Sequence, residues 1–205
     1  MEYNKEMREI RTNKELNNLD KFALEFINII KEYVDYVIIS GYVSILLGRT
    51  RVSEDIDVYI KKTSLEEFKK MYKELLVKNF WCINAEKPEE IYEYLKDNLA
   101  VRFSKIDSPI PNFEVKFPKD QLDEQVFEDP IKVILNEGEI IISSLERHIA
   151  FKKYFLRSNK DIEDAKHIEN LFKESIDYNK VSKLKELIKK RNEKRKEIYE
   201  TWKDK

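Results

Sequence analysis

The chain has 205 residues and is nearly neutral, with 39 Lys and Arg against 40 Asp and Glu. A net charge near zero gives no global steering toward nucleic acid, and no stretch is apolar over the length needed to span a bilayer. The single cysteine, Cys82, excludes an intramolecular disulfide, and the first residues lack the apolar core of a signal peptide. We therefore expect a soluble cytoplasmic protein of one domain, or of one domain with a helical appendage, and no membrane partner.

The first predicted elements lead into a turn between a strand and a helix. Residues 14–36 carry apolar side chains at helical spacing, and the β-branched run at 37–39 predicts a short strand. The strand stops at Ser40 and Gly41, and the apolar residues that follow predict a short helix from about Gly41. Because the first amide groups of a helix have no intrahelical partner, this turn is a candidate seat for a phosphate.

Two carboxylates follow in the next predicted strand, at residues 55–60. A period of two places Asp55 and Asp57 on one face of that strand. Two like charges so close require a cation, and paired carboxylates can hold the divalent metals used in nucleotidyl transfer. Mg²⁺, with Mn²⁺ possible, is the expected metal because it prefers oxygen ligands. An isolated Asp-x-Asp is more often a solvated strand end, but the strand, turn and helix before it favour a functional site.

Beyond this strand the sequence predicts strands alternating with helices up to residue 143, and only helices after it. Prolines 109 and 111 predict a turn between two strands, and Gly138 predicts the left-handed position of a three-residue hairpin loop. The fold class expected is α+β, a mixed β-sheet core at 1–143 with a C-terminal helical region at 144–205 packed on it. The helices are predicted at about 64–79 and 89–96, and the strands at 80–84, 101–106, 113–117, 131–135 and 139–143.

The order of turn, helix, arginine, small hydroxyl residue and Asp-x-Asp resembles the nucleotidyltransferase superfamily, which has a DNA polymerase β-like fold. Within it, the pattern is similar to the AbiEii-like branch, often found as toxins of toxin–antitoxin systems. That family usually has Gly-Gly or Gly-Ser at the turn, whereas here Ser40 precedes Gly41, Tyr42 follows, and Ser44 lies further into the helix. The residues that carry the resemblance are Ser40, Gly41, Arg51, Ser53, Asp55 and Asp57.

A second block of the chain, residues 146–168, also resembles the AbiEii-like pattern. That pattern has an Ala-x-Lys step on a helix, then a basic residue, then a Lys/Arg-Asp-x-x-Asp step. In the family the lysine is thought to touch the nucleotide phosphates or ribose, and the Asp pair helps to shape the site. Taken alone, this block is explained by an ordinary charged helical surface. A functional role is favoured because the two blocks follow each other in the order, and at a separation, that fit the family pattern. The matching residues are Ala150, Lys152, Arg157, Lys160, Asp161 and Asp164.

The resemblance also implies a third carboxylate on a neighbouring strand. Glu114 is the candidate, because it alternates with Phe113 and Val115 and would lie on the polar face. The family usually has Asp at this position. Asp107 is the reserve, although a role in the turn, with its side chain bonded to nearby backbone, is favoured for it.

The resemblance implies metal-dependent transfer of a nucleoside monophosphate from an NTP to an acceptor hydroxyl, with pyrophosphate leaving. Asp55, Asp57 and Glu114 would hold the metal, and Glu114 would also position the acceptor or take its proton. Acceptors could be a tRNA end, a protein or a small molecule, and a toxin would have a cognate antitoxin. The remaining nucleotide-binding candidates are Ser40, Gly41, Ser44, Arg51, Ser53, Lys152, Arg157, Asp161 and Asp164.

Two alternatives stay open. One is a nucleotide-binding regulator that has lost turnover. The other is a helical interaction protein whose partner binds the basic C-terminus, where eleven Lys and Arg stand against five Asp and Glu from Lys180 onward. A solvated helix face explains that stretch equally well. A HEPN-type ribonuclease is disfavoured, since Arg157 and His167 are ten residues apart. The side chains predicted to pack inward are Leu184, Leu187, Ile188, Ile198 and Trp202.

Overall fold

The computed structural model describes residues 1–203, except for the side chains of 198, 199 and 201–203. The chain forms two compact units, Met1–Ser143 and Ser144–Lys205. The first unit contains a mixed β-sheet with helices and the second is helical. The predicted fold class, a mixed sheet followed by a helical region, is confirmed. None of the described helices is long and apolar enough to cross a membrane.

A nine-stranded sheet organises the first unit, in the order β1-β2-β8-β9-β3-β4-β7-β6-β5. The strands are β1 (Glu2–Asn4), β2 (Glu9–Arg11), β3 (Tyr36–Ile38), β4 (Asp55–Ile60), β5 (Phe80–Cys82), β6 (Val101–Lys105), β7 (Ser108–Lys116), β8 (Ile131–Leu135) and β9 (Gly138–Ile142). The helices are α1 (Asn18–Ile30), α2 (Gly41–Leu46), α3 (Leu65–Val77), α4 (Pro88–Lys96) and α5 (Gln121–Glu124), with a 3₁₀ turn at Gln125–Phe127.

The N-terminal hairpin of β1 and β2 was not predicted. The two strands pair antiparallel, and β2 continues the sheet by pairing parallel with β8. Each has only three residues, too few to show an alternation, so the pairing with β8 decides their conformation. Helix α1 begins at Asn18 rather than near residue 14, because Asn17 and Asp20 form a capping box that fixes its start.

Two turn predictions were wrong. Strand β7 runs through Pro109 and Pro111, and the chain reverses earlier, where Asp107 has a φ of 65°. The Ser104 hydroxyl contacts the backbone carbonyls of Ser108 and Pro111, 2.7 Å from the latter, and so ties this part of β7 to β6. Gly138 is the first residue of β9 and pairs with Leu135, leaving a two-residue loop.

The core of the first unit fixes which way β7 faces. The rings of Phe26 and Phe113 stack with centroids 4.1 Å apart, and Phe22 packs on Phe113 as well. Phe113 is therefore buried against α1, Val115 is buried on the same face of β7, and the period of two turns Glu114 and Lys116 to the opposite face. Packing of the aromatic core thus determines where the polar side chains of β7 lie.

The second unit contains helices α6 (Leu145–Phe151), α7 (Asn159–Leu171) and α8 (Tyr178–Lys203). A π-helical turn, Lys152–Leu156, follows α6, and Arg157 ends it in the left-handed conformation. Of the side chains predicted to pack inward, those of Leu184 and Ile188 are buried, whereas Leu187 is 40 % exposed. The side chains of Ile198 and Trp202 lie outside the described residues.

Candidate functional site

The turn before α2 has an unusual backbone. Ser40 has φ 63° and ψ −139°, a conformation that costs a residue with a side chain roughly 1–3 kcal/mol and that glycine adopts freely. A Cβ at Gly41 would lie 3.0 Å from Nη2 of Arg51, so the glycine allows the guanidinium to lie against the backbone. Two residues predicted as nucleotide contacts, Gly41 and Arg51, are therefore in direct proximity.

A polar network binds the helix that follows this turn, α2, to Asp20 of α1 and to Lys14. The Tyr42 hydroxyl donates to Oδ1 of Asp20 at 2.9 Å, and the Lys14 ammonium lies 2.8 Å from Oδ2 of the same carboxylate. Lys14 also donates to the carbonyl oxygen of Ile45. Burial and the neighbouring Asp20 raise the pKa of Tyr42 well above its usual value. Sequence reasoning missed this network, although a capping Asp20 on a largely apolar helix was a signal.

The register of the sheet places the predicted carboxylates on two paired strands beside the turn. The Ile39 amide donates to the Asp57 carbonyl at 2.9 Å, which places the end of β3 next to the start of β4. Strands β4 and β7 pair parallel, with Asp57 opposite Glu114 and Asp55 opposite Asn112. The strand neighbourhood expected for Glu114 is thus present. Ser53 lies alongside, with its hydroxyl 3.2 Å from Oδ1 of Asp55.

Lys116 is the cation of this cluster, and sequence reasoning gave it no role. Its Nζ lies 2.7 Å from Oδ1 of Asp57 and 2.6 Å from Oε1 of Glu114. Burial opposes its charge, but the two carboxylates outweigh burial and raise the pKa of Lys116. Burial alone would raise the pKa of Glu114, yet the hydrogen bonds from Lys116 and Arg102 prevail and lower it. The signal was available, because the alternation puts Glu114 and Lys116 on one face.

The donor set fits a hard divalent cation in chemistry, since Asp55, Asp57 and Glu114 offer only carboxylate oxygens. Two of the three already surround a positive charge, the ammonium of Lys116. Among the described residues, no three Asp, Glu, His or Cys side chains converge closely enough to hold a metal ion. In this conformation Asp57 and Glu114 form an ion-pair network with Lys116. A metal bound by the same two carboxylate oxygens would have to replace the ammonium.

Ser44 lies in α2 and is fully buried. Its contact with a phosphate stays a prediction.

The second sequence block forms a compact ion network inside the helical unit. Nζ of Lys152 lies 2.7 Å from Oδ1 of Asp161 and 2.9 Å from Oδ2 of Asp164, and all three residues are buried. Burial alone would raise the pKa of Asp161, but the hydrogen bonds from Lys152 and Ser158 outweigh burial and lower it. The ammonium predicted to touch phosphates is thus enclosed by its own carboxylates. Arg157 is exposed, and its Nε donates to the Tyr154 carbonyl.

Comparison with known proteins places the fold. No family model matches the sequence, and no curated protein matches it. The solution structure of the antibiotic-resistance factor ANT(2'')-Ia aligns with a TM-score of 0.57 and 14% identity over 88% of this chain and 96% of that chain. The crystal structure of an antigenic nucleotidyltransferase-like protein from Paracoccidioides brasiliensis aligns with a TM-score of 0.52 and 14% identity, over 89% of this chain and 90% of that chain. The chain therefore shares the fold of these two structures.

Proposed function

We propose that this protein is a nucleotidyltransferase that moves a nucleoside monophosphate from an NTP to an acceptor hydroxyl. The observation that carries the proposal is the sheet register, which sets Asp57 opposite Glu114. The strained turn at Ser40 follows β3, the strand that pairs with β4 on its other side. A backbone strained at one point and supported by buried neighbours is typical of a functional site. The shared fold of ANT(2'')-Ia and the nucleotidyltransferase-like protein supports the same reaction class.

Each side chain of the cluster has a part in this proposal. The turn at Ser40 and Gly41 would receive the triphosphate, and Arg51, which lies against Gly41, would balance its charge. Ser53 would orient Asp55, whose carboxylate its hydroxyl approaches. Glu114 would hold the acceptor hydroxyl and remove its proton as the oxygen attacks the α-phosphorus and pyrophosphate leaves.

A divalent metal, Mg²⁺ or Mn²⁺, belongs to the proposal because the donors are carboxylate oxygens. Asp55, Asp57 and Glu114 are the residues that would hold it. When bound, it would neutralise charge that builds up on the phosphates during transfer. The helical block with Lys152, Asp161 and Asp164 is proposed to act indirectly, by keeping its own helices in place.

A finer proposal concerns the biological setting. The AbiEii-like pattern of turn, Arg51, Ser53 and Asp-x-Asp supports a toxin that modifies a tRNA end in the cytoplasm and is countered by a cognate antitoxin. Protein and small-molecule acceptors are tested beside tRNA.

The experiment follows label from each α-³²P NTP, with Mg²⁺, into total RNA and into the proteins and small molecules of a cell extract, and measures pyrophosphate release in parallel. We expect transfer by the wild-type protein and none by Asp55→Asn or Asp57→Asn, which keep the shape of the side chains and remove their charge. Asp35→Asn is the matched control, since Asp35 is a surface carboxylate paired with Lys61. Transfer that survives in both site variants would contradict the proposal.

One observation favours a second candidate, a nucleotide-binding regulator without turnover. Lys116 pairs with both Asp57 and Glu114, and Arg102 pairs with Glu114, so the charges of these two carboxylates are balanced without a metal. A regulator would bind NTP, as seen by a rise in melting temperature, and release no pyrophosphate with any acceptor. The enzyme proposal requires both binding and release.

A further inference from the structure

We propose that Lys116 acts as a built-in cation that a divalent metal must displace from Asp57 and Glu114. This inference rests on the proposed function, because it concerns the same cluster, and it assigns to that site a residue that controls access to it. Lys116 is a positioning residue here: it acts on substrate binding by holding or releasing the two carboxylates.

The geometry distinguishes Lys116 from an ordinary surface ion pair. Its ammonium makes two contacts at once, 2.7 Å to Asp57 and 2.6 Å to Glu114, from a side chain only 20% exposed. The two acceptors belong to different strands, β4 and β7. The ammonium therefore lies between the strands, where a bridging metal would have to bind.

The two cations compete for the same oxygens. A magnesium ion requires ligand oxygens at about 2.0–2.1 Å, and it cannot approach Oδ1 of Asp57 or Oε1 of Glu114 while the ammonium occupies them. The other oxygen of Glu114 already faces Arg102, and like charges held together in a partly buried site repel strongly. A metal that bridges Asp57 and Glu114 through these oxygens must therefore take the place of Lys116.

A released lysine needs a new anionic partner. The strained turn that would receive the triphosphate directly follows β3, the strand that pairs with β4. A nucleotide bound at this turn would therefore bring phosphate oxygens to the end of the sheet where Asp57 lies. Arg102 stays with Glu114, 3.3 Å from its other oxygen. We therefore expect metal and NTP to bind cooperatively, each favouring the displaced position of Lys116.

The test measures binding of Mn²⁺ alone by electron paramagnetic resonance and by calorimetry, without nucleotide. Lys116→Met keeps the length of the side chain and removes its charge, and it is expected to tighten Mn²⁺ binding at least about tenfold, or ~1.4 kcal/mol. Arg102→Met is the matched control, since it removes one positive charge beside Glu114 without emptying the space between the carboxylates. Equal tightening in both variants would show a general charge effect and overturn the proposal, as would no change in Lys116→Met.

A second measurement uses the wild-type protein and so does not depend on the folding of a variant. Reductive methylation of individual lysines is followed by mass spectrometry with and without saturating Mn²⁺. Displacement predicts that the methylation rate of Lys116 rises when the metal is added, while that of Lys132, on β8, stays constant. A rate for Lys116 that is unchanged or falls contradicts displacement.

Failure of this inference and failure of the proposed function give different results. Label transfer by the wild-type protein, with Mn²⁺ affinity unaffected by Lys116→Met, would remove the inference and leave the function. Tighter Mn²⁺ binding in Lys116→Met, with no transfer to any acceptor, would leave the inference and favour the regulator.

Discussion

The chain contains two clusters of the same composition, each with one lysine and two carboxylates, and they differ in burial. In the sheet unit, Lys116 and its partners Asp57 and Glu114 have side chains 18–20% exposed. In the helical unit, the side chain of Lys152 is 3% exposed and that of Asp164 is fully buried. Solvent can reach a lost partner in the first cluster but not in the second, so we expect the first cluster to exchange its cation and the second to stabilise its own helices.

The largest effect is expected from breaking the buried cluster. Lys152→Met would leave Asp161 and Asp164 buried without their cation, and removing one partner of such a network costs roughly 3–5 kcal/mol. The free energy of unfolding from urea denaturation, followed by circular dichroism, measures this loss. Lys153→Met is the control, because its ion pair with Glu169 is more exposed. A loss no larger in Lys152→Met than in the control would contradict the stabilising role expected of the buried cluster.

Acid is expected to act next most strongly, also on the helical unit. Burial, and then the charge of Lys152, lower the pKa of His148 to about 3. Below its ordinary value of 6.5 the unfolded chain takes up a proton that the folded chain does not, so stability falls as the pH drops from 6.5 toward 3. The slope from this group is up to ~1.4 kcal/mol per pH unit.

Two groups near His148 shape this pH dependence further. Asp161 has a lowered pKa, so its contribution is present above its unfolded value and is lost as the pH falls through its folded value. The charges of Asp164 and Asp161 act on His148 in the opposite direction to that of Lys152. His148→Leu should flatten the curve of unfolding free energy against pH between 6.5 and 3. A curve for this variant that coincides with that of the wild type would disprove the assignment.

A smaller and opposite effect is expected at the strained turn of the sheet unit. Ser40→Gly should raise the free energy of unfolding by about 1 kcal/mol, because glycine adopts the observed φ of 63° without strain. Ser40→Ala keeps a Cβ and should not gain stability. Denaturation curves of the two variants make the comparison, and a loss of stability in Ser40→Gly would mean that the Ser40 side chain contributes more than its strain costs.

The smallest change in stability is expected for the exchangeable cluster. Lys116→Met should destabilise the fold far less than Lys152→Met, because its two carboxylate partners are partly exposed and water can solvate them when the ammonium is removed. The same denaturation assay measures it beside Lys152→Met. A cost of several kcal/mol for both lysines would remove the distinction between a cation that can leave and one that cannot.

The sequence by itself determined the local elements of the site. The alternation at 55–60 gave the strand that carries Asp55 and Asp57, the break at Ser40 and Gly41 gave the turn, and the alternation around Glu114 gave its polar face. These local elements could be predicted because side chains repeat with a fixed period along a strand or a helix, so residues close in sequence determine them. The helical character of the chain after residue 143 was predictable for the same reason.

The tertiary structure decided which charges meet. Lys116 is bound to Asp57, 59 residues away, and Tyr42 to Asp20 across the helix packing. The N-terminal hairpin exists because β2 pairs with β8, and Lys152 is enclosed because α7 returns beside the π-helical turn. Such contacts depend on sheet register and on the desolvation of charges by distant segments, and a pattern of neighbouring residues contains neither.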